Sequence, residues 1–364
     1  MKILHLLYSG LGGHGNVFFS MAAADEYDEF EYQALFKGIE PVRAEYVKQC
    51  DEKNIKWEFL LKKRGFDLRY YLRLYKAIKR SGAEIIFLHG GDGLLPARFA
   101  RMFSPVIKKI LVRETQANHL KSKGDWIRLS LSMLFASKVI FLTDAYNKQI
   151  AKKLWWLYRE KKIEIIPNGI NLDMYRPVPK TGGDKLILGM QSRIVRIKDH
   201  QTLLTAFANL LKNERSATGL QLNIAGDGEC KNELMEMAKT LQIDKHVWFT
   251  GELNETELVT FLNNLDIYIH ASFGETMSTA IMQAMACKKP VVASDVPGIN
   301  NMLKQNETGM LVPVKDPESM SRVIQDLINN RDMRNSLADN AFTFAKENYS
   351  NLVMFNRYKQ IFKS

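Results

Sequence analysis

Short apolar runs alternate with longer amphipathic stretches from the first residues of this chain. Ile3-Leu4-His5-Leu6-Leu7 marks a buried strand over residues 2–8, and the glycines from Gly10 to Gly15 lead into a helix beginning near Asn16. Further strands are predicted at Tyr32 to Phe36, Ile55 to Leu60, Glu84 to Leu88 (ending on His89), Lys109 to Val112 and Val139 to Leu142. Helices are predicted after Pro41, over Asp67 to Ser81 and over Trp126 to Phe135. Continuous apolar strands separated by helices of this length imply a parallel sheet covered on both faces.

The alternation pauses at Ile165-Ile166-Pro167-Asn168-Gly169-Ile170-Asn171 and runs on through Pro177, Pro179, Gly182 and Gly183, the best linker candidate. It resumes with strands at Lys185 to Met190, Leu220 to Ala225, Val247 to Phe249, Ile267 to His270, Val291 to Ala293 and Met310 to Val312. Helices are predicted at Asp199 to Leu211 and Glu229 to Leu241, and three more fill the tail, at Glu318 to Asn329, Met333 to Glu347 and Leu352 to Phe362. The chain is expected to be α/β, with two doubly wound Rossmann-like domains facing a central cleft. Their expected bounds are residues 1–172 and 173–350, followed by a terminal helix within 351–364. Ligands are expected at the carboxyl ends of the strands.

Length and composition suit this division, because 364 residues are long for one core and 46% hydrophobic residues supply apolar surface for two. Three widely spaced cysteines, Cys50, Cys230 and Cys287, form no CxxC pair. They argue against a disulfide framework or zinc site and for a reducing cytosol. Met1 leads straight into a strand, so no signal peptide is expected, and the uncharged run Thr276 to Cys287 is too short to span a bilayer. A cytoplasmic protein, soluble or peripheral on a membrane, is the expectation. The net charge of +11 is uneven: residues 1–175 hold 29 Lys+Arg against 19 Asp+Glu, while residues 176–364 hold 22 against 21. The first half is therefore expected to meet something anionic.

Candidate chemistry gathers at turns that follow strands. Phe273-Gly274-Glu275-Thr276-Met277-Ser278 breaks from a strand into a helix rich in Ala and Met, which carries Gln283 eight positions after Glu275. Backbone N–H groups at such a helix start make an anion site, although a buried βαβ unit with a satisfied Glu has the same pattern. Arg193 and Lys198 flank a loop that opens another helix, so both can converge on one anion; plain surface charge is the alternative. Ala225-Gly226-Asp227-Gly228 is a turn whose Asp is placed to cap the next helix. Gly10, Gly12 and Gly15 spell GxGxxG, but Lys37-Gly38 stands where a dinucleotide site needs an acidic residue, which favours a substrate-facing loop or a packing turn. His89, beside Gly90-Gly91-Asp92-Gly93, is placed to act on a ligand or to bond a backbone carbonyl, whereas His5 is expected in the core. Two basic-aromatic stretches, Lys62 to Lys76 and Lys152 to Lys162, read either as packed helices with a solvated basic face or as contacts to a lipid headgroup layer, which is favoured over nucleic acid because nothing resembles a nucleic-acid-reading module.

Together these stretches resemble the retaining nucleotide-sugar glycosyltransferases of family 4, which have the GT-B fold. Ile166-Pro167-Asn168-Gly169-Ile170-Asn171 is similar to that family's PNG(V/I)D segment. Arg193 and Lys198 fall on its paired phosphate-binding positions, Leu222 to Gly228 on its hxIhGxG turn, and Glu275 to Gln283 on its E-x7-E block. In the first domain only Gly12-Gly13 and His89 match. The resemblance implies a first domain that binds the acceptor, a second that binds the donor, and a terminal helix that crosses back onto the first. It implies that Arg193, Lys198 and the amides of Thr276, Met277, Ser278 and Thr279 bind the diphosphate. Glu275 would hold donor-sugar hydroxyls and residue 283 the ribose. His89 would sit near the reacting carbon, and Gly12, Gly13 and Asn168 would complete the site. No metal and no cofactor are implied; a UDP- or GDP-linked sugar is the donor, and a glycan or lipid-linked molecule of the cell envelope is the acceptor. Gln283 departs from the family's second Glu, and an amide lacks the charge-assisted strength of a carboxylate. A nucleotide-sugar epimerase of the same architecture, or a non-catalytic binder, are the rival readings.

Overall fold

The structure is a computed structural model that describes all residues except 11, 12, 64, 66, 182, 184 and 214–218. The chain divides into two compact units, Met1–Asn171 with Asn351–Ser364, and Leu172–Ser350.

The first unit is built on seven parallel strands: β1 (Lys2–Tyr8), β2 (Glu31–Gly38), β3 (Lys56–Leu61), β4 (Ile85–His89), β5 (Lys109–Arg113), β6 (Lys138–Phe141) and β7 (Ile163–Ile165). They lie in the order β3-β2-β1-β4-β5-β6-β7. Strand order reverses between β1 and β4, which opens a crevice at their carboxyl ends. Ile85, Ile86, Phe87 and Leu88 are fully buried, as a continuous apolar run demands when helices cover both faces. The helices are α1 (Gly13–Ala24), α2 (Ala44–Glu52), α3 (Leu68–Ser81), α4 (Leu94–Met102), α5 (Lys123–Phe135) and α6 (Asp144–Lys153). Helix α3 starts where the Asp67 carboxylate accepts the Tyr70 amide at 3.0 Å, and α5 starts in a capping box between Ser122 and Asp125.

Helix α1 begins at Gly13, three residues before the expected start, because Val17, Phe18 and Met21 bury one face and the glycines fall in the first turn. Helices α4 and α6 and strand β7 were not expected. Pro96 in the first turn of α4 is compatible with a helix, since its missing N–H would lack a partner there anyway. The last helix, α13 (Asn351–Lys363), packs Met354, Phe355, Tyr358 and Phe362 against the β1–β4 side of this unit's core. Its start is tied by the Asn351 amide to the Ile170 carbonyl at 2.8 Å, and Lys363 meets Glu29 at 2.5 Å.

The second unit holds six parallel strands: β8 (Leu186–Gln191), β9 (Leu220–Ala225), β10 (Val247–Gly251), β11 (Ile267–His270), β12 (Val291–Ser294) and β13 (Met310–Val312). Their order, β10-β9-β8-β11-β12-β13, repeats the reversal, here between β8 and β11. Its helices are α7 (His200–Asn213), α8 (Lys231–Thr240), α9 (Glu255–Asn264), α10 (Thr279–Ala286), α11 (Pro317–Asn329) and α12 (Arg331–Asn348). Helix α9, also unexpected, opens on a capping box of Asn254 and Glu257. No helix among the described residues is long and apolar enough to cross a membrane.

Candidate active site

In the second unit, the loops after β8 and β11 converge beside the point where strand order reverses. The β8 loop is held by its own backbone: Ser192 N–H donates to Ala225 at 3.0 Å and Ile194 N–H to Asp227 at 2.8 Å. His200 staples the other end. Its Nδ1 lies 2.9 Å from the Lys198 carbonyl, which fixes the proton there, so Nε2 accepts from the Ser192 hydroxyl at 3.1 Å. Burial lowers this imidazole to about 4, so the staple is neutral.

The β11 loop is fastened to the same segment. Phe273 N–H donates to the Ile197 carbonyl at 2.9 Å, and Ser272 N–H to the Ser294 hydroxyl at 3.1 Å. These ties bring Lys198 and Glu275 into an ion pair, each side chain 14% exposed. His270, at the end of β11, stands behind the pair. Its Nε2 is 2.8 Å from the same Glu275 oxygen, 3.4 Å from Lys198 Nζ and 3.4 Å from the Ser278 hydroxyl. Its Nδ1 faces the Tyr268 hydroxyl at 3.1 Å. Burial, then the neighbouring Lys198 charge, holds His270 well below the usual imidazole range, so it is neutral and donates to Glu275 from Nε2. Burial, then the charge of Arg193, pulls the Lys198 ammonium down to about 7, while the Glu275 carboxylate acts in the opposite sense. Arg193 itself is exposed.

Helix α10 starts at this cluster. Ser278 caps it by accepting the Ile281 amide at 3.4 Å, and its first N–H groups have no intrahelical acceptor. Of the predicted donor residues, Arg193, Lys198, Glu275, Thr276, Met277, Ser278 and Thr279 share these two loops and the start of α10. Gln283 follows in the second turn of α10, buried to 2%. The Glu275–Thr276 backbone rests on Gly298, where an added Cβ would lie 2.1 Å from the Glu275 carbonyl oxygen.

In the first unit, His89 lies at the reversal between β1 and β4 and is buried. Arg113 Nη1 approaches its Nδ1 at 3.4 Å, which leaves Nε2–H to donate to His5 Nδ1 at 3.1 Å. His5 stacks on Phe87 at 4.7 Å, so it is a core residue that also orients His89. Burial lowers His5 to about 3, and burial with the Arg113 charge lowers His14 to about 4 and His89 well below 6.5. His89 is therefore a neutral, fixed ring rather than one bonded to a backbone carbonyl. Asn168 also belongs to this unit, where its side-chain oxygen accepts from the buried Arg113. Lys37, in the place of a dinucleotide site's acidic residue, is ion-paired with Asp92. Gly13 opens α1, whereas Gly12 lies outside the described residues.

The sequence reading missed His270, Tyr268, His14 and Arg113 as members of these clusters. Only His270 and Arg113 carry a signal, their position at the ends of parallel strands, where ligand sites of such sheets lie; Tyr268 lies within β11 and His14 within α1.

The two doubly wound sheets have the GT-B glycosyltransferase fold. Over its full length the chain superposes on Anabaena HepE, solved in complex with UDP and glucose, with a TM-score of 0.84, 19% identity and all of both chains covered. Residues 12–174 match the family described as Glycosyltransferase Family 4, and residues 173–344 match Glycosyl transferases group 1. The chain belongs to glycosyltransferase family 4. Among curated relatives, the alpha-monoglucosyldiacylglycerol synthase of Streptococcus pneumoniae is 28% identical over 81% of this chain and 70% of its own length. A Campylobacter jejuni enzyme, N-acetylgalactosamine-N,N'-diacetylbacillosaminyl-diphospho-undecaprenol 4-alpha-N-acetylgalactosaminyltransferase, is 25% identical over 75% of this chain and 74% of its own.

Proposed function

We propose that this glycosyltransferase retains anomeric configuration and moves a hexose from a UDP- or GDP-linked donor to a glycan or lipid-linked acceptor of the cell envelope. The observation that carries this is the Lys198–Glu275–His270 cluster at the start of α10, with Arg193 beside it. Arg193, Lys198 and the α10 amides would neutralise the departing diphosphate without a metal, as preformed donors aimed where charge develops. Glu275, oriented by His270, would hold sugar hydroxyls, and Gln283 would meet the ribose. In the first unit Gly13 and the neutral His89 would line the way of the incoming groups, and Asn168 would act through Arg113. The glycolipid in the Streptococcus relative's name and the undecaprenol-linked sugar in the Campylobacter relative's name support the acceptor class. The basic first half and the exposed Trp155 and Trp156 support action at the inner face of a membrane. The test is release of nucleoside diphosphate from a panel of nucleotide sugars, with NMR of the product anomer. Donor consumption that never requires an acceptor, or an inverted product, would overturn it.

Lys198 also makes donor binding depend on pH. Near pH 7 its ammonium is already partly neutral in the free protein, so a diphosphate that needs the charge must take up a proton on binding. Affinity for the nucleoside diphosphate is expected to be full below pH 7 and to fall toward tenfold per pH unit above it, flattening in Lys198→Arg. Calorimetric titrations from pH 6 to 9 read the slope; a flat profile in the unsubstituted protein removes Lys198 from the phosphate contact.

Gln283→Glu is expected to tighten nucleotide binding about fivefold, because a charge-assisted ribose bond adds roughly 1 kcal/mol over an amide. The same carboxylate would be buried in the empty protein, so the melting temperature should fall while affinity rises. Unchanged affinity would place the ribose elsewhere.

A further inference from the structure

Helix α3 buries Tyr70, Leu74, Ala77 and Ile78 at the spacing of one helical face, yet carries a second apolar stripe. That stripe, Leu68, Leu72 and Tyr75, faces Leu95, Phe99 and Phe103 on and just beyond α4 across a groove of about 610 Å³. Leu68 is 61% exposed, Leu72 55% and Phe99 53%, although the core of this unit is already complete without them. A solvated apolar groove of this kind marks a docking surface. Its lining is not wholly apolar: Gly91 and Asp92, in the turn directly after His89, and the cationic Lys62 and Arg128 also border it, Asp92 paired with Lys37 and Arg128 with Asp125. Arg69, Arg73 and Lys76 add exposed positive charge on α3.

We propose that the groove between α3 and α4 takes the hydrocarbon tail of a phosphate-headed lipid acceptor, with the phosphate held by Lys62 and Arg128. The apolar walls match a chain of methylenes, the Lys62 and Arg128 charges match the phosphate, and the groove is bordered by the turn that follows His89. This rests on the reading of the chain as a transferase with a lipid-linked acceptor, and it names where that acceptor is held. An alkyl chain gains affinity with each buried methylene, whereas a folded protein partner would not respond to chain length in this way.

Dodecyl phosphate, kept below its micelle concentration, is the probe, titrated calorimetrically against the full chain beside butyl phosphate. Binding of the dodecyl compound at least tenfold tighter than the butyl one is expected. Leu72→Asp and Phe99→Asp should each weaken it at least tenfold, with melting temperature and nucleoside diphosphate affinity unchanged. Both side chains are exposed, so neither change disturbs the core. Equal binding by the variants overturns the proposal, as does concentration-dependent self-association that Leu72→Asp abolishes, which would give the groove to a second copy. A protein that binds nucleotide sugar but not dodecyl phosphate loses the groove proposal alone. One that binds dodecyl phosphate but no nucleotide loses the transferase reading instead.

Discussion

Lys198→Ala is expected to lower sugar transfer by on the order of 10²- to 10³-fold, the usual effect of removing one preformed donor from a developing negative charge. Arg193 and the α10 amides remain, so activity should not vanish. The substitution also strips Glu275 of its ammonium while leaving His270 Nε2 at 2.8 Å to hold the carboxylate. Because that second donor persists, the loss of stability should stay within about 3 kcal/mol. A double-substitution cycle separates the two effects. Lys198→Ala with Glu275→Ala should recover part of the melting temperature, since the uncompensated charge is gone, and recover none of the turnover. Steady-state assays of nucleoside diphosphate release and thermal melts of the same four proteins read both. Normal turnover in Lys198→Ala would sink the assignment of the leaving-group site.

The architecture was legible because its strands are buried on both faces, and β4 announces itself as the run Ile85 to Leu88. Helices were legible where one face is cleanly apolar, as in α3, and hidden where it is not. Helix α6 is mostly polar, and α4 stands behind four residues rich in glycine. Helix α9 could have been found from Asn254 and Glu257, a capping box written plainly in the sequence. The candidate site divides in the same way. Arg193, Lys198 and Glu275 could be chosen because each lies in a turn between a strand and a helix. His270 could not, since its role comes from Lys198, 72 positions earlier, meeting the carboxylate of the following loop. Arg113 was hidden for the same reason: it looks like the end of a strand, and its partner Asn168 is 55 positions later. Pairings across a sheet leave no local period, so only the folded chain displays them.

Gly298→Ala should cost transfer about 10²-fold although residue 298 carries no reacting group. At φ +94° an alanine is strained, and its Cβ would stand 2.1 Å from the Glu275 carbonyl oxygen and 2.8 Å from that of Thr276. Backbone cannot yield as a flexible side chain does, so the Glu275 loop has to move. A shift of about 1 Å suffices to break the 2.8 Å contact with His270 and to carry the carboxylate off its pairing geometry with Lys198. Strain alone must be distinguished from displacement, and Gly251 provides the control. Its φ is +78°, but nothing lies within 4 Å of an added Cβ. Gly251→Ala should therefore lose roughly 1–2 kcal/mol of stability to the left-handed conformation and keep its turnover. If both variants lost stability alike and both kept transfer, the position of the Glu275 loop would not control the reaction. If Gly298→Ala alone lost transfer, with a lowered kcat and a donor affinity also reduced, the loop's placement rather than backbone strain would be what the enzyme depends on.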